Sequence, residues 1–165
     1  MQIRPATQQD ASAIGSIIGP IIQAGETYSL ARDMTVTECL AYWMGPDKET
    51  FVLEDDGRIL GTYYMRPNQA GGGAHVANCG YMTSPDAAGR GLARLMCEHS
   101  MDHARKRDYR AIQFNFVVST NERAIRLWEN LGFSIVGRLP KAFEHPDEGF
   151  VDALVMYQWL ENAEI

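Results

Sequence analysis

Between Ser84 and Arg94 the chain reads SPDAAGRGLAR, and Gly89 and Gly91 stand just ahead of Leu92, Leu95, Met96 and His99, which recur at helical spacing. The first NH groups of such a helix lack carbonyl partners, the helix dipole adds partial positive charge, and Arg90 and Arg94 add formal charge. A phosphate suits that place, because the two glycines can take positive φ and let oxygens approach the backbone. No Gly-x-x-x-x-Gly-Lys-Ser/Thr string is present, and the dinucleotide pattern Gly-x-Gly-x-x-Gly fails because its last position is Arg94.

A second chemical signal is a pair of asparagines in apolar, alternating segments: Asn78 within Val76 to Met82 and Asn115 within Ile112 to Val118. Asparagine is a poor strand residue and, when buried, needs hydrogen-bond partners. Alternation places Asn78 with Val76, Gly80 and Met82, and Asn115 beside Gln113 and Val117, while Cys79 faces away from Asn78. Either both amides satisfy backbone groups, or they line a pocket and bind a polar group such as a carboxylate. His99 and His103 lie one helical turn apart without a third ligand, so no metal is assigned. On type alone His75, Asp86, Glu144, His145 and Asp152 are candidates for a general base.

These residues need a scaffold. Gln2 to Ala6 reads as a strand, and Thr7 with Asp10 forms a capping pattern for a helix carrying Ile14, Ile17, Ile18, Ile21 and Ile22. Gly15, Gly19 and Pro20 weaken its centre, and a kink or break near Pro20 is expected. Residues Gly25 to Asp33 read as a loop. Thr35 or Thr37 caps a short helix ending by Gly45 and Pro46, and Thr50 to Glu54 and Arg58 to Arg66 form a hairpin across Asp55-Asp56-Gly57. Gly71 to Gly73 make a flexible link into the strand at Val76. Beyond the central helix come a strand at Ala111 to Val118, a helix at Asn121 to Leu131, and strands at Phe133 to Gly137 and Phe150 to Leu160. A strand-helix-strand unit among otherwise antiparallel strands predicts a mixed α/β sheet.

With 165 residues, 45% of them hydrophobic, the chain suits one domain, 1–165, with a core of its own. The formal charge of -6 argues against a nucleic-acid surface and favours a small-molecule partner. Three cysteines at unrelated spacings fit neither a disulfide framework nor a zinc site, and no stretch has the length of a membrane span, so a cytoplasmic protein is expected.

GRGLAR resembles the acetyl-CoA loop of the GNAT N-acetyltransferases, Gln/Arg-x-x-Gly-x-Gly/Ala, with Gly91 and Ala93 in its last two positions and Ala88 in place of Gln or Arg. Downstream, Asn121, Ala124, Leu127, Gly132 and Phe133 match the same family's Asn-x-x-Ala-x-x-Leu-Tyr-x-x-x-Gly-Phe in register. The segments NCGY, FNFV and AIRLWENLGF, with the tail GRLPKAF followed by PDEGFVDALVMY, look like the fungal azetidine-2-carboxylate N-acetyltransferases. The resemblance implies a GNAT fold: a mostly antiparallel twisted sheet with splayed parallel central strands and about four helices.

It also implies acetyl-CoA as cosubstrate, held by Met82, Ser84, Gly89, Arg90, Gly91, Leu92, Ala93, Arg94 and Asn121. The acceptor would be a small amino or imino acid bound by Asn78 and Asn115, with a loop at Glu26, Thr27 and Tyr28 beside it. Backbone NH groups near Met82 or Thr83 would polarise the thioester carbonyl, and a homodimer is common in the family. Trp128 departs from the usual tyrosine, and indole cannot serve as an acid, so packing is its expected role. The alternatives are acetylation of another small amine, such as an antibiotic or herbicide, and a non-catalytic CoA-binding module.

Overall fold

A computed structural model describes residues 1–160, so the last five residues of the expected 1–165 domain lie outside the described residues. The elements follow in the order β1 (Gln2–Pro5), α1 (Ala11–Ala24), α2 (Val36–Trp43), β2 (Glu49–Asp55), β3 (Arg58–Pro67), β4 (Val76–Thr83), α3 (Leu92–Lys106), β5 (Ala111–Val118), α4 (Glu122–Asn130), β6 (Ser134–His145) and β7 (Gly149–Trp159). The strands form a sheet ordered β1-β2-β3-β4-β5-β7-β6, antiparallel except at β4–β5. Helices cover both faces. Leu92 and Met96 of α3 and Trp128 of α4 pack on one face, and Ile14, Ile18 and Trp43 of α1 and α2 pack on the other. Among the described residues no helix is long and apolar enough to cross a membrane.

Of the kink or break expected near Pro20, no break occurs, and the helix runs through the proline. A proline inside a helix costs about 3 kcal/mol. Ile14, Ile17, Ile18 and Ile22 are all buried, and each such side chain contributes about 1.5–3 kcal/mol, so tertiary burial outweighs the lost bond. Gly15 is not a weakness either: a Cβ there would stand 2.8 Å from Val36 Cγ1, so its absence permits the close approach of α1 to α2. The short 3-10 turn before α1 is held by Thr7 N donating to Asp10 Oδ2 at 2.7 Å, and α2 starts at the reciprocal pair Thr35 and Glu38. The β2–β3 turn has positive φ at Asp56 and Gly57, the two-residue geometry that matches strand twist.

Three sequence expectations change. Gly71–Gly73, expected as a flexible link, forms a 3-10 turn. The strand expected to end at Gly137 continues to His145, because β6 is an edge strand that accommodates Pro140 in a register shift between Leu139 and Phe143. In β5 a register shift against β7 between Phe114 and Val117 inserts an extra residue, so alternation fails there. Val117 consequently joins Ile112 and Phe114 in the core under α3 and α4, on the face opposite the one expected from its spacing to Asn115.

Candidate active site

The parallel pairing of β4 with β5 consists of two register pairs, Val76↔Ala111 and Ala77↔Ile112. Beyond them the strands part, and a cleft of about 600 Å³ opens along the gap. Asn78 sits where the strands diverge, and its Nδ2 donates to Gln113 O at 3.0 Å. One amide hydrogen thus serves the backbone, while the other and Oδ1 remain for the cleft that Asn78 lines. Asn115 rides on the β5 bulge. Its Oδ1 accepts from Gln113 Nε2 at 2.8 Å and its Nδ2 donates to Asn68 Oδ1 at 2.6 Å, again leaving one N–H.

The backbone of β4 divides by parity. Ser84 N donates to Leu60 O and Asn68 N to Val76 O, both at 2.8 Å, so the intervening even-numbered residues of β4, Asn78, Gly80 and Met82, exchange hydrogen bonds with β3. Met82 therefore faces the cleft by its side chain but spends its NH on Thr62, which corrects the expectation that this NH is available to a carbonyl. Tyr81 and Thr83 present their backbone groups to the β5 side, where no register pair meets them. Tyr28, from the loop after α1, closes part of that edge: its hydroxyl donates to Tyr81 O at 2.8 Å. Thr27 lines the cleft as well, whereas Glu26 is exposed outside it.

At one end of the cleft lies the start of α3. Gly91 is its N-cap at φ +73, no side chain caps it, and Leu95 N is the first to bond back, to Gly91 O at 3.1 Å. The NH groups of Leu92, Ala93 and Arg94 precede that bond, so the helix offers a row of donors at its positive end. Gly89, at φ +81, Gly91, Leu92, Ala93, Arg94 and Asn121 line this part. Two expected residues do not. Arg90 turns to the β2–β3 hairpin and bonds Asp55 Oδ2 at 2.7 Å, and Ser84 commits its NH to Leu60. Asn121 caps α4, its Oδ1 accepting from Ala124 N at 3.3 Å.

At the other end stand Tyr42, Tyr64 and Arg66, which sequence reasoning missed. Tyr64 and Arg66 alternate on one face of β3, a visible signal, but the irregular connection at 68–75 hides the register that sets Arg66 opposite Asn78 and Tyr64 opposite Gly80. Gly80 is required by that pairing: a Cβ would meet the Tyr64 ring at 2.8 Å.

No Asp, Glu or His is among the described residues lining the cleft, so none of the candidate bases reaches it. Asp152 is occupied by Arg138 and Lys141 N, and His145 by the NH groups of Asp147 and Glu148. Burial pushes the phenols of Tyr28, Tyr64 and Tyr81 above their ordinary value and pushes up the Cys79 thiol, which faces the α3 side. A nucleophilic Cys79 thiolate is thereby disfavoured. Ser100 Oγ gives its single hydrogen to Cys97 O at 2.7 Å, so the Tyr81 hydroxyl is the donor in the 2.7 Å bond to Ser100, and burial makes it a weaker acid than a free phenol. Trp128 packs on Tyr81 and Phe114 at 5.2 and 5.1 Å between ring centres. His99 and His103 bond Tyr63 and Glu49 respectively.

Residues 22–133 match the model of the acetyltransferase (GNAT) family. The structure superposes on a GCN5-related N-acetyltransferase from Kribbella flavida with a TM-score of 0.90 and 42% identity, covering 96% of this chain and 97% of that one. It also superposes on yncA, a putative acetyltransferase from Salmonella typhimurium bound to acetyl-CoA, with a TM-score of 0.84 at 22% identity over 100% and 96% of the two chains, a likeness of fold. In sequence, the chain is 29% identical to the N-acetyltransferase aca1 of Schizosaccharomyces pombe over 86% of this chain and 78% of the relative.

Proposed function

The chain belongs to the acetyltransferase (GNAT) family, whose acetyl donor is acetyl-CoA, and we propose that it transfers the acetyl group to the amine of a small amino or imino acid, of the azetidine-2-carboxylate or proline-analogue kind, by direct attack in a ternary complex. The observation that carries this reading is the parting of β4 from β5, with unpaired backbone donors between a phosphate cradle and a cluster of side-chain amides. Acetyl-CoA supplies an acetyl group activated as a thioester.

The chain's own residues fit it in a definite order. The NH groups at the start of α3, with Gly89 and Gly91 leaving the approach open, hold the pyrophosphate, and Arg94 and Asn121 flank it. The backbone of Thr83 and Tyr81 faces the gap, and an NH there, displaced by one residue from Met82, polarises the carbonyl. A donor of that kind contributes roughly 3–4 kcal/mol. Asn78 and Asn115 orient the acceptor from the far side. With no carboxylate or imidazole among the described residues of the cleft wall, alignment does most of the work, and roughly 7–11 kcal/mol is within reach of well-ordered reactant pairs.

The enzyme works in the cytoplasm, in keeping with three buried, free cysteines. It pairs as a homodimer, for which the β6 edge, with Val136 60% exposed, offers an apolar surface. The deciding experiment incubates the protein with acetyl-CoA and a panel of cyclic imino acids, linear amino acids, aminoglycosides and phosphinic amino acids, reading thiol release and product mass. Acetylated imino or amino acid supports the assignment. Release with only the other acceptors replaces it, and thermal stabilisation by CoA without release for any acceptor reduces the protein to a binding module.

A further inference from the structure

We infer that Arg66 sets the acceptor class: its guanidinium receives the carboxylate of the amino or imino acid while the amine faces the β4–β5 gap. This rests on the acetyl-transfer reading above and adds a specificity residue to it.

Charge distribution is the first argument. The chain has 21 acidic residues against 15 Lys and Arg, yet the described cleft wall carries Arg66, Arg94 and Arg123 and no carboxylate. Arg94 and Arg123 lie at the starts of α3 and α4, beside the proposed phosphate cradle. Arg66 lies on β3 at the other end, where no phosphate is called for.

Position is the second. Arg66 and Asn78 are register partners in the antiparallel pair and belong to the hydrogen-bonded set, so their side chains leave the sheet on the same face about 5.5 Å apart at Cα. The Arg66 guanidinium stands 6.0 Å from the Tyr64 ring centre, and that ring lies across Gly80.

Unspent bonding capacity is the third. A guanidinium has five N–H donors, and the hydrogen bond Arg66 makes is from Nη1 to Asp47 Oδ2 at 3.5 Å, the limit of a useful contact. Asp47 itself is held by Lys48 Nζ at 3.0 Å through both oxygens, so Arg66 is free to turn without stranding it. Asn78 and Asn115 each have one N–H to spare. The end of the cleft is thus richer in donors than acceptors, which matches an anionic oxygen pair and repels a polycationic amine.

The test uses acceptor pairs that differ by the carboxylate: azetidine-2-carboxylate against azetidine, and proline against pyrrolidine. Wild type should favour the acid by 100-fold or more in kcat/KM, on the order of one charge-assisted bidentate contact. Arg66→Gln should lower kcat/KM for the acids by about 30- to 300-fold through KM, leave the amines within about threefold, and leave acetyl-CoA affinity by calorimetry within about twofold. Arg66→Lys, which keeps the charge and loses the fork, should recover part of the acid preference and decides the matter if the glutamine variant does not fold. An equal loss on acid and amine, or no loss on either, overturns the role of Arg66 while acetyl transfer stands. Failure of wild type to acetylate any acid, although acetyl-CoA binds, overturns the inference together with the reading beneath it.

Discussion

The two ends of the cleft are made of different material. The proposed donor end is the stretch Gly89 to Arg94, where Arg90 turns away to Asp55 and the groups offered to a phosphate are backbone NH, with Gly89, Gly91 and Ala93 leaving the approach open and Arg94 adding charge. The proposed acceptor end collects Tyr28 from a loop, Tyr42 from α2, Tyr64 and Arg66 from β3, Asn78 from β4 and Asn115 from a bulge in β5, and the groups it offers are side chains. A backbone site tolerates any substitution whose φ the position permits. A side-chain site is remade by one or two replacements, so the two ends should respond differently to mutation.

The sharpest way to separate the ends is Gly91→Val. Among the described residues, none beyond its two chain neighbours comes within 4 Å of a Cβ at Gly91, so the damage is strain at φ +73 together with an isopropyl group in the path of the diphosphate. Strain alone is about 1–3 kcal/mol. Steady-state kinetics should give an acetyl-CoA KM raised by about 30-fold or more with the acceptor KM nearly unchanged, and the reverse pattern would exchange the two ends. Next in size is Gly80→Ala, whose methyl drives the Tyr64 ring aside at a cost of about 1–3 kcal/mol, raising the acceptor KM by about tenfold and leaving acetyl-CoA alone. Asn115→Ala removes one cleft-facing N–H and the relay to Asn68, and the acceptor KM should rise by about five- to tenfold. Equal rises for both substrates would remove Asn115 from the acceptor site.

The smallest expected effect is the pH response of the enzyme itself. Because Tyr28, Tyr64 and Tyr81 are raised by burial, they stay neutral up to and beyond pH 10, and among the described residues the cleft offers no carboxylate or imidazole. Acceptor kcat/KM should climb about tenfold per pH unit up to the acceptor's own amine pKa and then level. Two acceptors of different basicity should level at different pH, and a shared inflection near 7 would reveal a base. For folding the sign is the same for each of these phenols: a raised folded pKa leaves its stabilisation intact below the unfolded value of about 10 and loses it as pH climbs towards the folded one. A urea titration at pH 8 and pH 10.5 should show the midpoint falling.

The local backbone of the proposed donor end and of the turns near it was legible because it depends on near neighbours. Glycines before a helical period, the Asn121 cap and the Asp56-Gly57 turn each depend on neighbours within four residues, and each recurs in the structure. Arg90 is the counter-case: its charge is local, but Asp55, which takes it up, lies 35 residues away. Val117 was placed on the wrong face because strict alternation has no means of foreseeing an extra residue in a ladder with β7.

The amino-acid order alone determined which segments alternate, which turn and where a helix begins, and with them the family and its mixed sheet, since those depend on steric and hydrogen-bonding preferences a few residues long. Tertiary structure alone decided which NH of β4 is spare, which charges are consumed and that Arg66 stands beside Asn78. Strand register sums many weak contacts across the whole sheet, and a shift of one residue turns every side chain to the opposite face.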